Sequence, residues 1–498
     1  MAVEKIKTGI PGFDLVSEGG LPSNRTTLLA GTAGSAKTIF AAQFLAAGII
    51  DSGEPGLFVT FEEHPSDLRK NLASLGWDIE AWEKQNLWRF TDGSPIEQEE
   101  TIVMGSYDLG GLLSRIEHAV NEIGAKRVIL DSIGSVFQLF TNTQIIRAEL
   151  YRISTALKQM GVTAIMTAER NEEYGSISKY GVEEFVTDNV IILRNNLEEE
   201  KRRRTIEILK FRGTNHQRGE FPFTILVGKG IEVIPLSAIA LLQRSSNVRI
   251  TSGNEEIDTM CGGGFFRDSI ILVSGATGTG KTLMTTEFID GGAAKDERCL
   301  LFAFEESGEQ LLRNASGWGV DFERMEKAGK LKIICKYPEV DSLENHLINI
   351  KDTITEFKPN RVAIDSLSAV ERISTVKGFR EFVISLTSYI KHQEVAGLFT
   401  ATTTTLTGGT SVTEAHISTL TDSIILLRYV EMYGEMRRGL TILKMRGSMH
   451  NKDICEFTID SSGMHVGKPF RNTVGILAGN PQQIAQDEIN RLQSMFKE

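Results

Sequence analysis

Gly275-Ala-Thr-Gly-Thr-Gly-Lys281-Thr282 decides the fold. The apolar run Ser269-Ile-Ile-Leu-Val-Ser274 precedes it and a helical pattern follows. Glycines let backbone N–H groups turn inward around phosphate oxygens. A lysine adds a point charge at the β- and γ-phosphates, and the threonine hydroxyl ligates Mg²⁺. Strand, glycine loop and helix in that order are the context such a loop requires. Thr277, Gly278, Thr279, Gly280, Lys281 and Thr282 are therefore candidate phosphate-binding residues.

The pattern also stands 244 residues earlier, as Gly31-Thr-Ala-Gly-Ser-Ala-Lys37-Thr38. Three further motifs repeat in the same order. Phe61-Glu62-Glu63 returns as Phe304-Glu305-Glu306 at an offset of 243. Val128-Ile-Leu-Asp131-Ser132 returns as Val362-Ala-Ile-Asp365-Ser366, and Lys210-Phe211-Arg212-Gly213 as Lys444-Met445-Arg446-Gly447, both at 234. The chain is thus a tandem duplication. Its expected divisions are 1–245, 246–470 and a tail, 471–498, with the boundary near the polar stretch Gln243-Arg-Ser-Ser-Asn247. In the tail, Ile484, Ile489, Leu492 and Met495 predict a terminal helix from Pro481 onward.

Within each unit, buried apolar runs such as 27–30, 57–60, 127–130, 164–167 and 189–193 alternate with longer helical patterns. That alternation predicts an α/β fold, a mostly parallel twisted sheet covered by helices on both faces. The 47 glycines against 11 prolines suit many tight strand-to-helix turns.

The first loop, Gly34-Ser35-Ala36-Lys37-Thr38, has Ala36 where the pattern has glycine. If position 36 needs a positive φ, alanine costs about 1 kcal/mol; if it is already helical, it costs nothing. Asp131 and Asp365 each end an apolar strand, where an acid holds the Mg²⁺ shell. Glu62-Glu63 and Glu305-Glu306 follow strands about 25 residues after the loop lysines. A carboxylate there can orient or deprotonate an attacking water or hydroxyl. Which glutamate of each pair does so stays open. Lys210-x-Arg212 and Lys444-x-Arg446 can neutralise charge on a transferring phosphoryl group, from the same or a neighbouring subunit. The run 198–204, Glu-Glu-Glu-Lys-Arg-Arg-Arg, mixes both signs and reads as a solvated hairpin or a subunit contact.

Of 498 residues, 41% are hydrophobic and 24% charged, which excludes a wholly disordered chain. No apolar run reaches 18 residues and the start, MAVEKIKTGI, lacks a secretory pattern, so a cytoplasmic protein without a membrane span is expected. The 65 acidic against 54 basic residues argue against duplex DNA as the main partner. Cys261, Cys299, Cys335 and Cys455 form no CxxC pair, so neither zinc nor disulfides are indicated.

Glycine loop, paired glutamates, strand-end aspartate and Lys-x-Arg strand together resemble the RecA-like ATPases. The doubling, with Tyr180-Gly-Val-Glu-Glu-Phe-Val, Arg244-Ser-Ser-Asn-Val-Arg and Cys261-Gly-Gly-Gly-Phe-Phe, resembles the KaiC family of bacterial clock ATPases and autokinases over residues 5–470. His416-Ile-Ser418-Thr419-Leu-Thr421-Asp422 is similar to that family's autophosphorylation segment, so the resemblance makes Ser418 and Thr419 the phosphoacceptors, with Thr413 nearby. Counting back 234 residues gives Glu184 and Phe185, so the first unit offers no hydroxyl there.

The resemblance further implies ATP with Mg²⁺, a double-ring homohexamer with ATP between subunits, and metal contacts from Thr38, Asp131, Thr282, Glu305 and Asp365. It implies nucleotide contacts from Ile39, Ser74, Lys210, Phe211, Arg212, Thr214 and His216 in the first unit. In the second it implies Leu283, Trp318, Arg438, Lys444, Met445, Arg446 and His450. Leu226 and Val227 depart from the family's polar pattern. A KaiB-like partner is implied; a KaiA-like one stays open, because the tail from Gly479 diverges. The competing readings are a DNA-dependent recombinase or helicase, and a scaffold whose ATP only holds a ring together.

Overall fold

The computed structural model describes residues 3–94, 109–138, 140, 142–198, 200–235, 245–403, 417–471, 473–477, 479 and 481–483. The chain divides into two compact units, Met1–Ala238 and Ile239–Glu498.

Each unit is built on one nine-stranded sheet. In the first, the strands are β1 (Thr26–Gly31), β2 (Gly56–Thr60), β3 (Trp88–Asp92), β4 (Arg127–Asp131), β5 (Thr163–Glu169), β6 (Asn189–Glu198), β7 (Lys201–Phe211), β8 (Glu220–Leu226) and β9 (Gly230–Val233). The second has β10 (Ile270–Gly275), β11 (Cys299–Ala303), β12 (Leu331–Cys335), β13 (Arg361–Asp365), β14 (Ala396–Thr402), β15 (Ser423–Met432), β16 (Glu435–Met445), β17 (Cys455–Asp460) and β18 (Gly463–Pro469). The spatial order is β9-β8-β7-β6-β1-β5-β4-β2-β3, and the second sheet repeats it strand for strand. Strands β6 through β3 in that order run parallel, and β7, β8 and β9 add an antiparallel edge. The expected fold class therefore holds in both halves. The mixed-charge run is the β6–β7 hairpin, with Glu198 opposite Lys201.

The helices that serve the sites are α1 (Lys37–Ser52), α2 (Pro65–Ala73), α3 (Ile133–Phe137), α4 (Glu183–Val186), α5 (Glu255–Met260), α6 (Lys281–Ala293), α7 (Gly308–Gly317) and α8 (Leu367–Arg372). Helices α1 and α6 carry apolar residues on nearly every face, because each is enclosed by its sheet and the strands folded back over it.

One device locks α1 and α6 in place. Arg127 and Arg361 open the central strands β4 and β13 and are 3% and 1% exposed. Arg361 Nε pairs with Glu297 at 2.6 Å, and Nη1 donates to the Phe288 and Thr251 carbonyls at 2.9 and 2.7 Å. Arg127 pairs with Glu54 at 2.9 Å and donates to the Phe44 and Lys7 carbonyls. The guanidinium passes so near the helix that only glycine fits. A Cβ on Gly48 would lie 2.5 Å from Arg127 Nε, and one on Gly292 2.6 Å from Arg361 Nε.

Ala36 caps α1 at φ 74°, where Gly280 caps α6 at 107°. The strained alternative is therefore the one realised. Of the stretch expected to form a terminal helix, Gln482–Gln483 pair as a strand with Thr473–Val474, and 484–498, with the periodic positions Ile484, Ile489, Leu492 and Met495, lie outside the described residues.

Two outcomes follow. Arg361→Met strips the Phe288 and Thr251 carbonyls of their donor and leaves Glu297 with its longer pair to Arg267 at 3.4 Å, so denaturation of the second unit should shift by about 2–4 kcal/mol with the first unit unmoved. Ala36→Gly relieves a left-handed alanine and should leave the first unit equal or more stable by up to about 1 kcal/mol in the same measurement.

Candidate functional site

Each glycine loop joins the middle strand of its sheet to the following helix, β1 to α1 and β10 to α6. Lys281 Nζ donates back to the Gly275 and Ala276 carbonyls at 3.0 and 2.9 Å; Lys37 does the same to Gly31 and Thr32, both at 3.0 Å. Burial lowers the proton affinity of both lysines, against the pull of Asp365 and Asp131. Thr279 and Ser35 hydroxyls close the loops by donating to the Ala276 and Thr32 carbonyls. Leu283 is core, and Ile39 packs at the core's edge.

In the second unit the loop opens on a cleft of about 650 Å³. Gly278, Lys281 and Thr282 of the loop line it together with Glu305, Glu306, Asp365 and Arg372, and with Trp318, Arg438 and Ile459. Arg438 Nε is buried there without a hydrogen-bond partner, its guanidinium 5.7 Å from the Tyr429 ring. An orphaned guanidinium nitrogen beside a loop of inward amides fits an anionic ligand.

Asp131 accepts from Thr38 at 2.7 Å and from Thr167; Asp365 accepts from Thr400 at 2.5 Å and from Thr282. Burial pushes both carboxyls up, and these hydroxyls pull them back. In both units the Asp–Ser bond that follows is cis. The Thr–Asp pair in each unit is an oxygen donor set suited to Mg²⁺. Among the described residues no three His, Cys, Asp or Glu side chains could hold a metal, so phosphate and water would complete such a shell.

The paired glutamates separate. The first of each pair turns to the serine after the aspartate: Ser132 Oγ donates to Glu62 at 3.2 Å and Ser366 Oγ to Glu305 at 2.8 Å. The second turns to an asparagine one helix away: Asn71 of α2 donates to Glu63 at 3.5 Å and Asn314 of α7 to Glu306 at 3.0 Å. A Ser307–Gln310 capping box starts α7 and orients it. Burial raises Glu62, opposed by Ser132 and aided by Glu169; burial also raises Glu306, aided by Asp365. Glu305 carries a cation that Glu62 lacks, with Arg372 Nη2 2.7 Å away.

The Lys-x-Arg strands do something else within the chain. Lys444 Nζ donates to the Ser418 and Thr421 carbonyls at 2.8 and 2.5 Å, and Arg446 Nη2 to the Thr419 carbonyl at 2.8 Å. Lys210 holds the Glu184 and Thr187 carbonyls, and Arg212 that of Phe185. Ser418 and Thr419 form a one-turn 3-10 helix, Ile417–Thr419, on this cationic clamp. None of these groups lines the cleft at Lys281. Thr413 lies outside the described residues.

The remaining candidates scatter. Met445 and Phe211 are core side chains, each 7% exposed. His216 lies edge-on to Phe211, and Thr214 lines a separate surface cleft with Lys5 and Glu18. His450 is in the β16–β17 loop. Ser74 ends α2, its carbonyl accepting from Gly228 at 3.4 Å. One residue went unread: Arg204, whose Nε donates to the Gly34 carbonyl of the first loop at 3.2 Å. Counting 234 back from Arg438 reaches it.

The chain matches the sequence model described as "ATPase: KaiC" over residues 6–238 and again over 250–470. It is 68% identical to the circadian clock protein KaiC3 of Synechocystis sp., over all of this chain and 98% of that protein. It is 54% identical to the circadian clock oscillator protein KaiC of Prochlorococcus marinus, over 98% of this chain and 97% of that one. The KaiC of Thermostichus vulcanus is 52% identical over 99% and 95%. No described helix is long and apolar enough to cross a membrane. Two RecA-like sheets, a nucleotide loop in each, and identity running end to end make this chain a member of the KaiC family of ATP-binding clock ATPases.

Proposed function

We propose that the first domain, 1–245, mainly hydrolyses ATP, while the second, 246–470, transfers phosphate to and from Ser418 and Thr419. The observation that carries this reading is the asymmetry of one clamp. Lys444 and Arg446 present a serine and a threonine, whereas Lys210 and Arg212 hold the same turn with Glu184 and Phe185 in their place. Water is then the acceptor left to the first site.

The acceptor clamp and the cleft at Lys281 are separate within one chain, which supports a site completed by a neighbour in a homohexamer. Lys281 and the loop amides hold the phosphates, and Arg438 supplies charge at the cleft wall. Glu305, held by Ser366 and Arg372 at the edge of the cleft, takes the proton from the acceptor Oγ. The Oγ–phosphorus bond forms as the bond to the β-phosphate oxygen breaks, and ADP leaves. Glu62 takes the corresponding proton from water in the first site, where burial raises its proton affinity. Glu63 and Glu306 orient their partners from the asparagine side. Thr282 with Asp365, and Thr38 with Asp131, would hold Mg²⁺, which neutralises the phosphate oxygens when bound. A phosphorylated Ser418 or Thr419 adds nearly two negative charges between Lys444 and Arg446, a change a clock partner resembling KaiB could read.

Intact-mass and peptide mass spectrometry after incubation with Mg²⁺-ATP should place phosphate on Ser418 or Thr419. Glu305→Gln should cut its formation at least a hundredfold while first-domain turnover continues. ATP consumption without phosphate on either residue would sink the autokinase reading, and stimulation by DNA would revive the motor.

A further inference from the structure

Each strand-end aspartate is held by two threonines, and only one of them follows a loop lysine. The other, Thr167 on β5 or Thr400 on β14, stands on the strand between the loop's own strand and the aspartate's. These two are 233 residues apart, against 234 for Asp131 and Asp365. On one side they pair with Leu29 and Val273 of the loop strands. On the other, Met166 pairs with Leu130 and Phe399 with Ile364. Each threonine therefore lies one step past that pairing, level with its aspartate. Both are fully buried, between Met166 and Ala168 and between Phe399 and Ala401.

A hydroxyl shut away from water needs a partner inside the protein. Both find the same one. Thr167 Oγ1 donates to Asp131 Oδ1, and Thr400 Oγ1 to Asp365 Oδ1 at 2.5 Å. In the first unit Thr38 of the loop takes the opposite oxygen, Oδ2, at 2.7 Å. One carboxylate is thus divided between two donors. The last torsion of an aspartate is broad and nearly two-fold, so the side chain alone does not fix its oxygens. A buried donor on Oδ1 does. The loop threonine spends its hydrogen on the carboxylate and keeps its lone pairs for a cation.

We propose that Thr400 and Thr167 are positioning residues for Mg²⁺: each pins one oxygen of its aspartate, so that the other oxygen and the loop threonine are preset for the metal. The inference rests on each glycine loop holding ATP with Mg²⁺. Groups one step behind a metal ligand commonly govern roughly tenfold to a hundredfold of metal affinity. Valine is the discriminating replacement. It is branched like threonine and suits a strand as well, so the sheet keeps its form and the hydrogen bond goes. A hydroxyl that only satisfied the core would, on removal, weaken the site equally with and without metal.

Equilibrium binding of a non-hydrolysable ATP analogue to the full chain, in Mg²⁺ and in EDTA, tests this. Magnesium should tighten binding to the parent chain. Thr167→Val/Thr400→Val should bind about tenfold more weakly than the parent in Mg²⁺, yet within about twofold of it in EDTA. Each single valine should weaken half of the sites. Thr167→Ser/Thr400→Ser keeps both hydroxyls and should retain the parent's affinity in Mg²⁺. Thr400→Ala, with a different packing defect, should show the same loss confined to Mg²⁺. Equal losses in the two buffers, or no loss in Mg²⁺, would overturn the proposal. If Mg²⁺ fails to tighten binding to the parent, the reading of the loops as Mg²⁺-ATP sites falls, and this inference with it.

Discussion

A lysine held by its own loop is the interaction on which both sites depend. Lys281 and Lys37 each bind two carbonyls of the glycine loop they end, which gives the loop its closed shape. A partly buried ammonium is tolerated only where oxygens surround it. Those oxygens come from the end of the middle strand, so the loop needs that strand in a fixed register. Gly275 lies between Thr402 and Leu427, and Gly31 between Glu169 and Leu193. The same parallel pairing brings Asp365 and Asp131 to the end of the next strand but one, within reach of the threonine that follows each lysine. Sheet order, phosphate loop and acidic wall are thus one structure.

Much of this was legible in the residues. Loops, strand-end acids and repeat order give the parallel sheets, because each is a local pattern whose physics needs only its neighbours. The antiparallel edge was less so, since β7–β9 and their duplicates are mixed in polarity. Long-range pairing escaped too. Lys-x-Arg is a cation pair at a strand end in any reading, but nothing nearby in sequence says that it grips the Ser418 turn and stands apart from its own loop. The two glutamates of each pair look alike in sequence. Their partners, a serine some 60–70 residues on and an asparagine eight residues on, make them different. Arg204 was missed although the repeat pointed to it. The terminal periodicity from Ile484 lies outside the described residues; just before it, Gln482 and Gln483 pair as a strand with Thr473–Val474.

Duplication kept the frame and changed its lining. Arg194 of β6 is neutralised by Glu207 and Glu220, at 2.6 and 3.2 Å. Its counterpart Arg428 faces Thr441 and Ile454 at those positions, and two of its nitrogens have no partner. Arg372 contacts Glu305 where the first unit has Gln138. The first sheet therefore pairs this arginine with acids that the second lacks, and the second unit adds a cation beside the first glutamate of its pair. One scaffold thus presents two electrostatic settings to the same substrate.

The guanidinium that passes Gly48 or Gly292 carries an implication for how such a chain can vary. The arginine occupies the volume a side chain on the glycine would need, and the glycine's emptiness is what admits the arginine. Neither can change alone without a clash or the loss of the donor to buried helix carbonyls, so a path to another pairing crosses an unstable intermediate. The two positions behave as one unit of heredity, spelled at distant points of the chain, and the repeat contains it twice.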